Sequence, residues 1–372
     1  MRLLWLTETY PPRRGGMAQS CDRIVRGLTG AGVEVDVVQF TRHEVAGRVA
    51  WRFRRQVGGR MLTAPLGEEP EHALRHLATL VDGEPYTHVV AFGGTWPVAA
   101  APVLAGWVGA PLLTLLRGND LDTAVFSPRR RLALAEALRA SAAVCVVASS
   151  HRRLVRLLAP DAEVVWVANS VDTTDWTVLP SERGAAARWR AARVTPGRRV
   201  LGAIGQLKAK KGLDLLLDAL AGPGRADRVH LAAVGELDDA VTSRLTAEGI
   251  EHSVRAFADR SALPAVYAAC DVVALPSLYD GMPNVALEAA ALGVPLLASD
   301  AGGLADLVDD GIGFTFRAGD PVGCGAAVDR FLDAGDDALA KLGAAAAERV
   351  ARDFTPAAET AGYLGVLERT RR

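Results

Sequence analysis

Asp280 and Glu288 stand at either end of a turn in the stretch PSLYDGMPNVALEAAALGVP, residues 276 to 295, and each carboxylate can accept hydrogen bonds from paired hydroxyls. Upstream, DVVALPS is short, apolar and β-branched enough for a buried strand; Asn284 is the expected N-cap, and Val285 to Ala291 the helix that stops at Gly293. Such a loop aims backbone N–H groups and the positive end of a helix dipole beyond the strand's carboxyl end, where a phosphate is favoured. With Asp280 on the hydroxyls of a sugar and Glu288 on a ribose diol, one segment could hold both ends of a nucleotide-sugar. The plainer alternative makes Asp280 an Asx turn and Glu288 a solvated helix residue.

A second constellation, GAIGQLKAKKGLDLLLDAL, orders a strand, a glycine-bearing loop, cations and a helix, which places an ammonium group and backbone donors on a diphosphate. It lacks the G-x-x-x-x-G-K-(S/T) order of a P-loop. Asp120 and Asp122 form a D-x-D, a metal-binding pattern elsewhere, but in the other half of the chain, away from that loop. No metal is expected. His72 and His76 share a helix face, yet H-A-L-R-H has neither the glutamate of a zincin nor a third ligand, and both read as surface or packing residues.

The elements that must position these residues follow from the pattern. At 372 residues the chain is long enough for two conventional cores, and half of it is hydrophobic. A net charge of −1 gives no general attraction to nucleic acid. Cys21, Cys145, Cys270 and Cys324 form no C-x-x-C pair, which argues against a zinc knuckle or disulfide framework and fits a reducing cytoplasm. There is no signal-peptide pattern and no apolar run of membrane-spanning length.

Short apolar strands alternate with amphipathic helices, the pattern of parallel sheets covered on both faces. Strands are expected at LLWL, VEVDVVQF, HVVAF, PLLTLL, AAVCVV and EVVWV, then at VLGAI, VHLAAV, DVVAL and VPLLAS; helices are expected over Arg130 to Ala140, Leu213 to Leu220 and Leu263 to Cys270. The polar stretch NSVDTTDWTVLPSERG, residues 169 to 184, is the candidate hinge. The expected fold class is α/β, two Rossmann-like doubly wound domains with ligands at the carboxyl ends of their strands.

The context PS-x-x-D-G-x-x-x-x-x-L-E-A-x-A-x-G-x-P resembles the carboxylate-x7-carboxylate signature of the retaining GT-B glycosyltransferases, most closely glycosyltransferase family 4. The resemblance implies the GT-B fold, with residues 1–168 and a C-terminal crossover helix at 356–372 forming an acceptor domain, residues 169–355 a nucleotide-sugar donor domain, and a cleft between them. It implies transfer of a sugar from a nucleotide diphosphate sugar, UDP being the modal base, to a hydroxyl-type acceptor, with retention and without a catalytic metal or other cofactor. Gly205, Gln206 and Lys211 then match the G-R-L-x-x-x-K-G element, Lys211 being the diphosphate-binding lysine. Gly15 and Gly16 match the glycine turn at the donor phosphates, where a side chain would hold the ligand off. Phe257 and Ala258 fall where the base is contacted through backbone, and Gly281, Met282, Pro283, Asn284 and Val285 line the loop between Asp280 and Glu288. Asp280 would orient the sugar and Glu288 hold the ribose.

Several positions depart from the family pattern. Gln206 replaces an arginine, for which Lys208 or Lys210 could substitute; Asp280 replaces the commoner glutamate; Pro283 lacks an N–H. Arg117 stands where many members have a histidine near the reaction centre, and since it cannot act as a base it would recognise an acidic group or pair with Asp120. Asp120 is placed on the acceptor side. A GT-B phosphorylase, a sugar-phosphate synthase and a non-catalytic nucleotide-sugar-binding protein are the competing functions. The arginine-rich stretch RVAWRFRRQVGGR, residues 48–60, reads as a solvated edge strand, with contact to a membrane surface or a phosphate-bearing acceptor as the alternative. The sequence specifies neither acceptor nor oligomeric state.

Overall fold

Runs of three to eight residues, most of them apolar and buried on both faces, form two sheets, parallel except for one edge strand, each wrapped by the helices that connect its strands. The computed structural model describes residues 1–42, 52–56 and 58–371, the side chains of 52–56 excepted. It divides into two units, Met1–Asn169 with Pro356–Arg372, and Ser170–Thr355.

In the first unit the strands are β1 (Arg2–Thr7), β2 (Glu34–Thr41), β3 (Arg52–Gln56), β4 (Gly59–Pro65), β5 (His88–Phe92), β6 (Leu112–Leu116), β7 (Ser141–Val146) and β8 (Val164–Trp166). Their order is β3-β4-β2-β1-β5-β6-β7-β8. β1 is central, with Leu3 opposite Val35 of β2 and His88 of β5. Strand order reverses at β1 and β5, so the loops after Thr7 and Phe92 flank the crevice where such sheets bind ligands. β3 is antiparallel to β4 and forms the sheet edge. Within the basic stretch 48–60, Arg52 to Gln56 are thus an edge strand, while Val49 and Trp51 lie outside the described residues.

The second unit contains β9 (Arg199–Ile204), β10 (Val229–Val234), β11 (His252–Arg255), β12 (Val272–Leu275), β13 (Leu296–Ser299) and β14 (Gly313–Phe316), in the order β11-β10-β9-β12-β13-β14 and all parallel. Its core joins Leu201 and Leu231 of the sheet to Leu216, Leu217 and Leu220 of the helix Leu213–Leu220 and to Phe331. Each such fully buried leucine contributes about 1.5–3 kcal/mol. Here the order reverses between β9 and β12, which sets the loops after Ile204 and Leu275 side by side.

The final helix, Pro356–Thr370, belongs to the first unit, where Tyr363, Val366 and Leu367 enter the core around Leu3, Cys21, Ile24 and Val25. Arg23 of the helix Gly16–Gly30 binds Glu359 with two hydrogen bonds, at 2.7 and 3.0 Å.

The two doubly wound units expected from the pattern are present. The expected hinge is shorter than residues 169–184, because Pro180 opens a helix, Pro180–Arg193, with the Glu182 carboxylate accepting from the Leu179 N–H at 2.7 Å. The helix Trp96–Val108 has no polar face for periodicity to reveal, and β4, β11 and β14 are short or glycine-bearing. All four cysteines are buried and free, and burial pushes the Cys21, Cys145, Cys270 and Cys324 thiols up to about 12.

Candidate functional site

In the second unit the lysine loop is built against the loop that follows β12. Gly205 leaves β9 at φ 112°, and Gly212 caps the helix Leu213–Leu220 at φ 67°. A Cβ on Gly212 would lie 1.9 Å from the Pro276 carbonyl oxygen, so only glycine permits this approach. The Leu278 N–H donates to the Lys210 carbonyl at 2.8 Å and fastens the two loops together. Lys210 and Lys211 are thereby delivered to Asp280.

Lys211 Nζ forms an ion pair with Asp280 Oδ2, and Lys210 Nζ lies 3.4 Å from Oδ1 and 5.6 Å from the centre of the Tyr279 ring. The Gly281 N–H donates to Asp280 Oδ1 at 3.0 Å. Asp280 is buried; burial alone would raise its carboxyl pKa, but the Lys211 and Lys210 ammonium groups outweigh it and hold the group below the usual carboxylate range. A charged carboxylate and two ammonium groups thus meet in one place. Lys211 also lines the adjoining pocket, with Gly205, Gln206, Pro276, Ser277 and Val285. Gln206 and Lys208 are exposed beside it.

The Asp280 loop rests on two residues that sequence reasoning passed over. A Cβ on Gly302 would come within 1.8 Å of the Asp280 carbonyl oxygen, and the Gly303 N–H donates to the Gly281 carbonyl at 2.5 Å. The available signal was Ala301-Gly302-Gly303 just after the strand at Leu296–Ser299, the carboxyl end of a neighbouring strand.

Asn284 is not the N-cap. The helix runs Asn284–Ala291 and Pro283 is its cap residue, with φ −71° and ψ 128°, the extended geometry a cap requires and proline's ring favours. Val285 lies against Gly205 across the pocket. Glu288, one turn on, is buried rather than solvated: the Tyr267 hydroxyl donates to its Oε2 at 2.8 Å. Burial raises the Tyr267 phenol well above its ordinary value, the Glu288 charge adding to it, so tyrosine remains a donor. Trp176 meets the Tyr267 ring edge-on at 5.9 Å. Nothing local in the sequence linked Tyr267 to Glu288. After β11, Ala258 is buried and Phe257 half-exposed, its carbonyl accepting from Arg255 Nε at 3.0 Å. Met282 is buried.

In the first unit Gly15, at φ 112°, caps the helix Gly16–Gly30, whose first residue is Gly16. Arg117 does not form an ion pair with Asp120. Instead the Arg117 backbone N–H donates to both Asp120 carboxylate oxygens, at 2.9 and 2.8 Å, because the Asn119–Asp122 turn folds that carboxylate back on the chain. The guanidinium points the other way, to the Tyr363 hydroxyl at 3.1 Å and to Asn169 Oδ1, and lies 5.0 Å over the Phe92 ring. Burial raises the Asp120 carboxyl pKa, only partly opposed by the Arg117 N–H. Asp122 turns to His151 Nε2, 3.3 Å away, so the D-x-D carboxylates diverge in their partners. Glu8, also passed over, accepts from the Thr95 and Trp96 N–H groups at 2.9 and 2.8 Å, capping the helix Trp96–Val108. His72 is exposed and pairs with Glu69 at 2.8 Å. Among the described residues no group of three or more His, Cys, Asp or Glu side chains is arranged to hold a metal ion, and no helix is long and apolar enough to cross a membrane.

Residues 198–334 match the family model described as Glycosyl transferases group 1, so the second unit carries a glycosyltransferase group 1 domain. No curated protein matches the chain. Solved structures share its whole two-unit architecture, the GT-B fold. HepE of Anabaena, in complex with UDP and glucose, is 18% identical with a TM-score of 0.77, covering 99% of this chain and 100% of that one. Sucrose-phosphate synthase from Thermosynechococcus elongatus is 20% identical with a TM-score of 0.77, covering 99% and 98%. An alpha,alpha-trehalose-phosphate synthase (UDP-forming) from Burkholderia xenovorans, in complex with glucose-6-phosphate, is 13% identical with a TM-score of 0.77, covering 99% and 100%.

Proposed function

We propose that this chain is a glycosyltransferase that moves a glycosyl group from a nucleotide diphosphate sugar, a UDP-sugar, to a hydroxyl acceptor with retention at the anomeric carbon. One observation carries the reading: Lys210 and Lys211 converge on Asp280 beside the pocket at Gly205, within the segment matched by the glycosyltransferase model. Without ligand the two ammonium groups neutralise Asp280. A diphosphate in the pocket would take over Lys211, leaving the Asp280 carboxylate to accept hydrogen bonds from the sugar hydroxyls. Gly205 and the amide groups at the start of the Asn284–Ala291 helix would add donors to the phosphates, and Glu288, fixed by Tyr267, would accept from the ribose. Gln206, Phe257, Ala258, Gly281, Met282, Pro283 and Val285 would complete the donor site, and Asp120 with Arg117 would lie on the acceptor side, Arg117 as a positioning residue.

In the transfer, the bond from the anomeric carbon to the diphosphate oxygen breaks as the acceptor oxygen bonds to the same face of that carbon, and the acceptor proton passes to the departing diphosphate. No metal or cofactor enters the step. Lys211 would stabilise charge that grows on the leaving group, work that preorganised groups do well. A sugar phosphate as acceptor is the second reading, favoured by the synthase names among the similar structures and by the exposed Arg13 and Arg14.

A thermal-shift panel of UDP, GDP, ADP, CDP and dTDP sugars tests the donor assignment, since a ligand at about a hundred times its Kd adds about 2.7 kcal/mol of stability. Selective stabilisation by UDP-sugars, abolished in Lys211→Ala, is the expected result. Folded protein that responds to none of them would overturn it. The anomeric configuration of the product, read by NMR, decides between retention and inversion.

A further inference from the structure

The helices Trp96–Val108, Pro128–Ala140 and His151–Leu158 follow β5, β6 and β7 in turn. Those strands and β8 lie side by side in chain order and are parallel, so right-handed crossovers place all three helices on one face of the first sheet. Between Phe126 and Leu158 the chain carries seven arginines, consecutive at Arg129 to Arg131 and again at Arg152 and Arg153, against one carboxylate, Glu136. That concentration stands out in a chain of net charge −1. None of the seven forms an ion pair among the described residues. Both basic helices begin without an acidic residue in the first turn, where the helix dipole favours one.

Large apolar side chains are exposed among these charges. Phe126 is 87% exposed, Leu132 and Leu157 each 71%, and Val103 66%. Leu132 lies one turn from Arg129, and Leu157 one turn from Arg153, so each pair shares a helix face. The neighbouring helix Trp96–Val108 contains no charged residue, yet exposes Val103 and Trp107. A polyanion in solution would satisfy the arginines but leave the phenylalanine and leucines in water. A bilayer surface offers phosphate headgroups and an acyl boundary at adjacent depths, which suits both sets.

We propose that this face of the first unit docks on an anionic lipid bilayer, its arginines on headgroup phosphates and Phe126, Leu132 and Leu157 in the acyl boundary. The proposal goes beyond the donor reading and does not depend on it. It makes the protein peripheral.

Co-sedimentation of the full chain with phosphatidylglycerol–phosphatidylcholine vesicles, against pure phosphatidylcholine vesicles, tests it. Binding should require the anionic lipid and weaken as salt is raised. The triple variant Arg129→Ala, Arg131→Ala, Arg153→Ala should lose about a hundredfold in partitioning, at about fivefold for each arginine near a charged surface. The variant Phe126→Ser, Leu132→Ser should lose about tenfold or more while keeping the salt dependence. Unchanged melting temperature shows that each variant is folded, and an unchanged response to UDP keeps this outcome separate from that of the donor assignment. Equal binding to both vesicle types, no binding to either, wild-type partitioning of the triple variant, displacement from vesicles by a soluble single-stranded RNA, or burial of the face in a dimer of this chain would each overturn the proposal.

Discussion

The two units each gather buried charge near the carboxyl ends of their strands, but they use it differently. Around Arg117 the partners are neutral and geometric: the Tyr363 hydroxyl, Asn169 and the Phe92 ring, with Arg23 also donating to Asn169 at 3.2 Å and held in turn by Glu359. The planar guanidinium is fixed on several sides and cannot be redirected without breaking the packing of the last helix. Around Asp280 the partners are two flexible ammonium groups sharing one carboxylate beside a pocket. Point charges of this kind exchange one anion for another without disturbing the fold. Buried charge alone therefore does not single out a candidate site; charge that can change partners beside a pocket does.

The sharpest way to break that contrast is to remove one cation from each cluster. Lys211→Ala should lower turnover of a donor sugar by about 10³-fold, in the range of losing one transition-state stabilising group, while melting stays close to wild type. Arg117→Ala should cost about 3 kcal/mol of stability, measured by urea unfolding, because Asn169 and Tyr363 lose a buried partner. Arg117→Lys restores charge without the fork and should remain at least about 1 kcal/mol below wild type. If the lysine variant melted early and kept its turnover, the assignment of roles to the two clusters would be reversed.

Acid separates the buried carboxylates Asp280 and Asp120 by sign. In the second unit Glu251 is partly buried, which would raise its pKa, but hydrogen bonds from the Thr195 hydroxyl and amide and from His230 bring it down to about 2 from 4.5. A carboxyl lowered on folding contributes stability that is present above its unfolded value and lost as pH falls through the folded one. Between pH 4.5 and about 2 that contribution disappears, and with it that of Asp280, also lowered. Asp120, raised by burial, acts in the opposite sense, its contribution being present at low pH and lost as pH rises through the folded value. Glu251→Gln should cost about 2 kcal/mol at neutral pH and flatten the acid limb of stability, followed by urea melts at stepped pH. The smallest effect expected is that of Tyr267→Phe, about 1 kcal/mol from one lost hydrogen bond to Glu288, together with a weaker response to UDP seen as a smaller thermal shift.

Much of the architecture was legible because parallel strands buried on both faces announce themselves as continuous apolar runs. Val229–Val234 and the helix Leu213–Leu220 have the limits that pattern suggested. The uncharged helix Trp96–Val108 was not legible, since an element apolar nearly all round has no period; its start is defined by Glu8 from far along the chain. The same limit applied to the sites. The spacing within residues 276 to 295 was enough to single out Asp280 and Glu288, because a turn leading into a helix is a local event. Tyr267 on Glu288, the glycine seat under Asp280, and the turning of Arg117 away from Asp120 all depend on residues distant in sequence.

The sequence by itself determined the alternation of strand and helix, the glycines whose backbone admits a close approach, and the chemical types at the lysine loop and the carboxylate pair. Only the tertiary structure decided which charges meet, which are neutralised and which stay on the surface. Side-chain type and backbone propensity are properties of neighbours along the chain, whereas partnership and burial are set where strands distant in sequence pair and their loops come together.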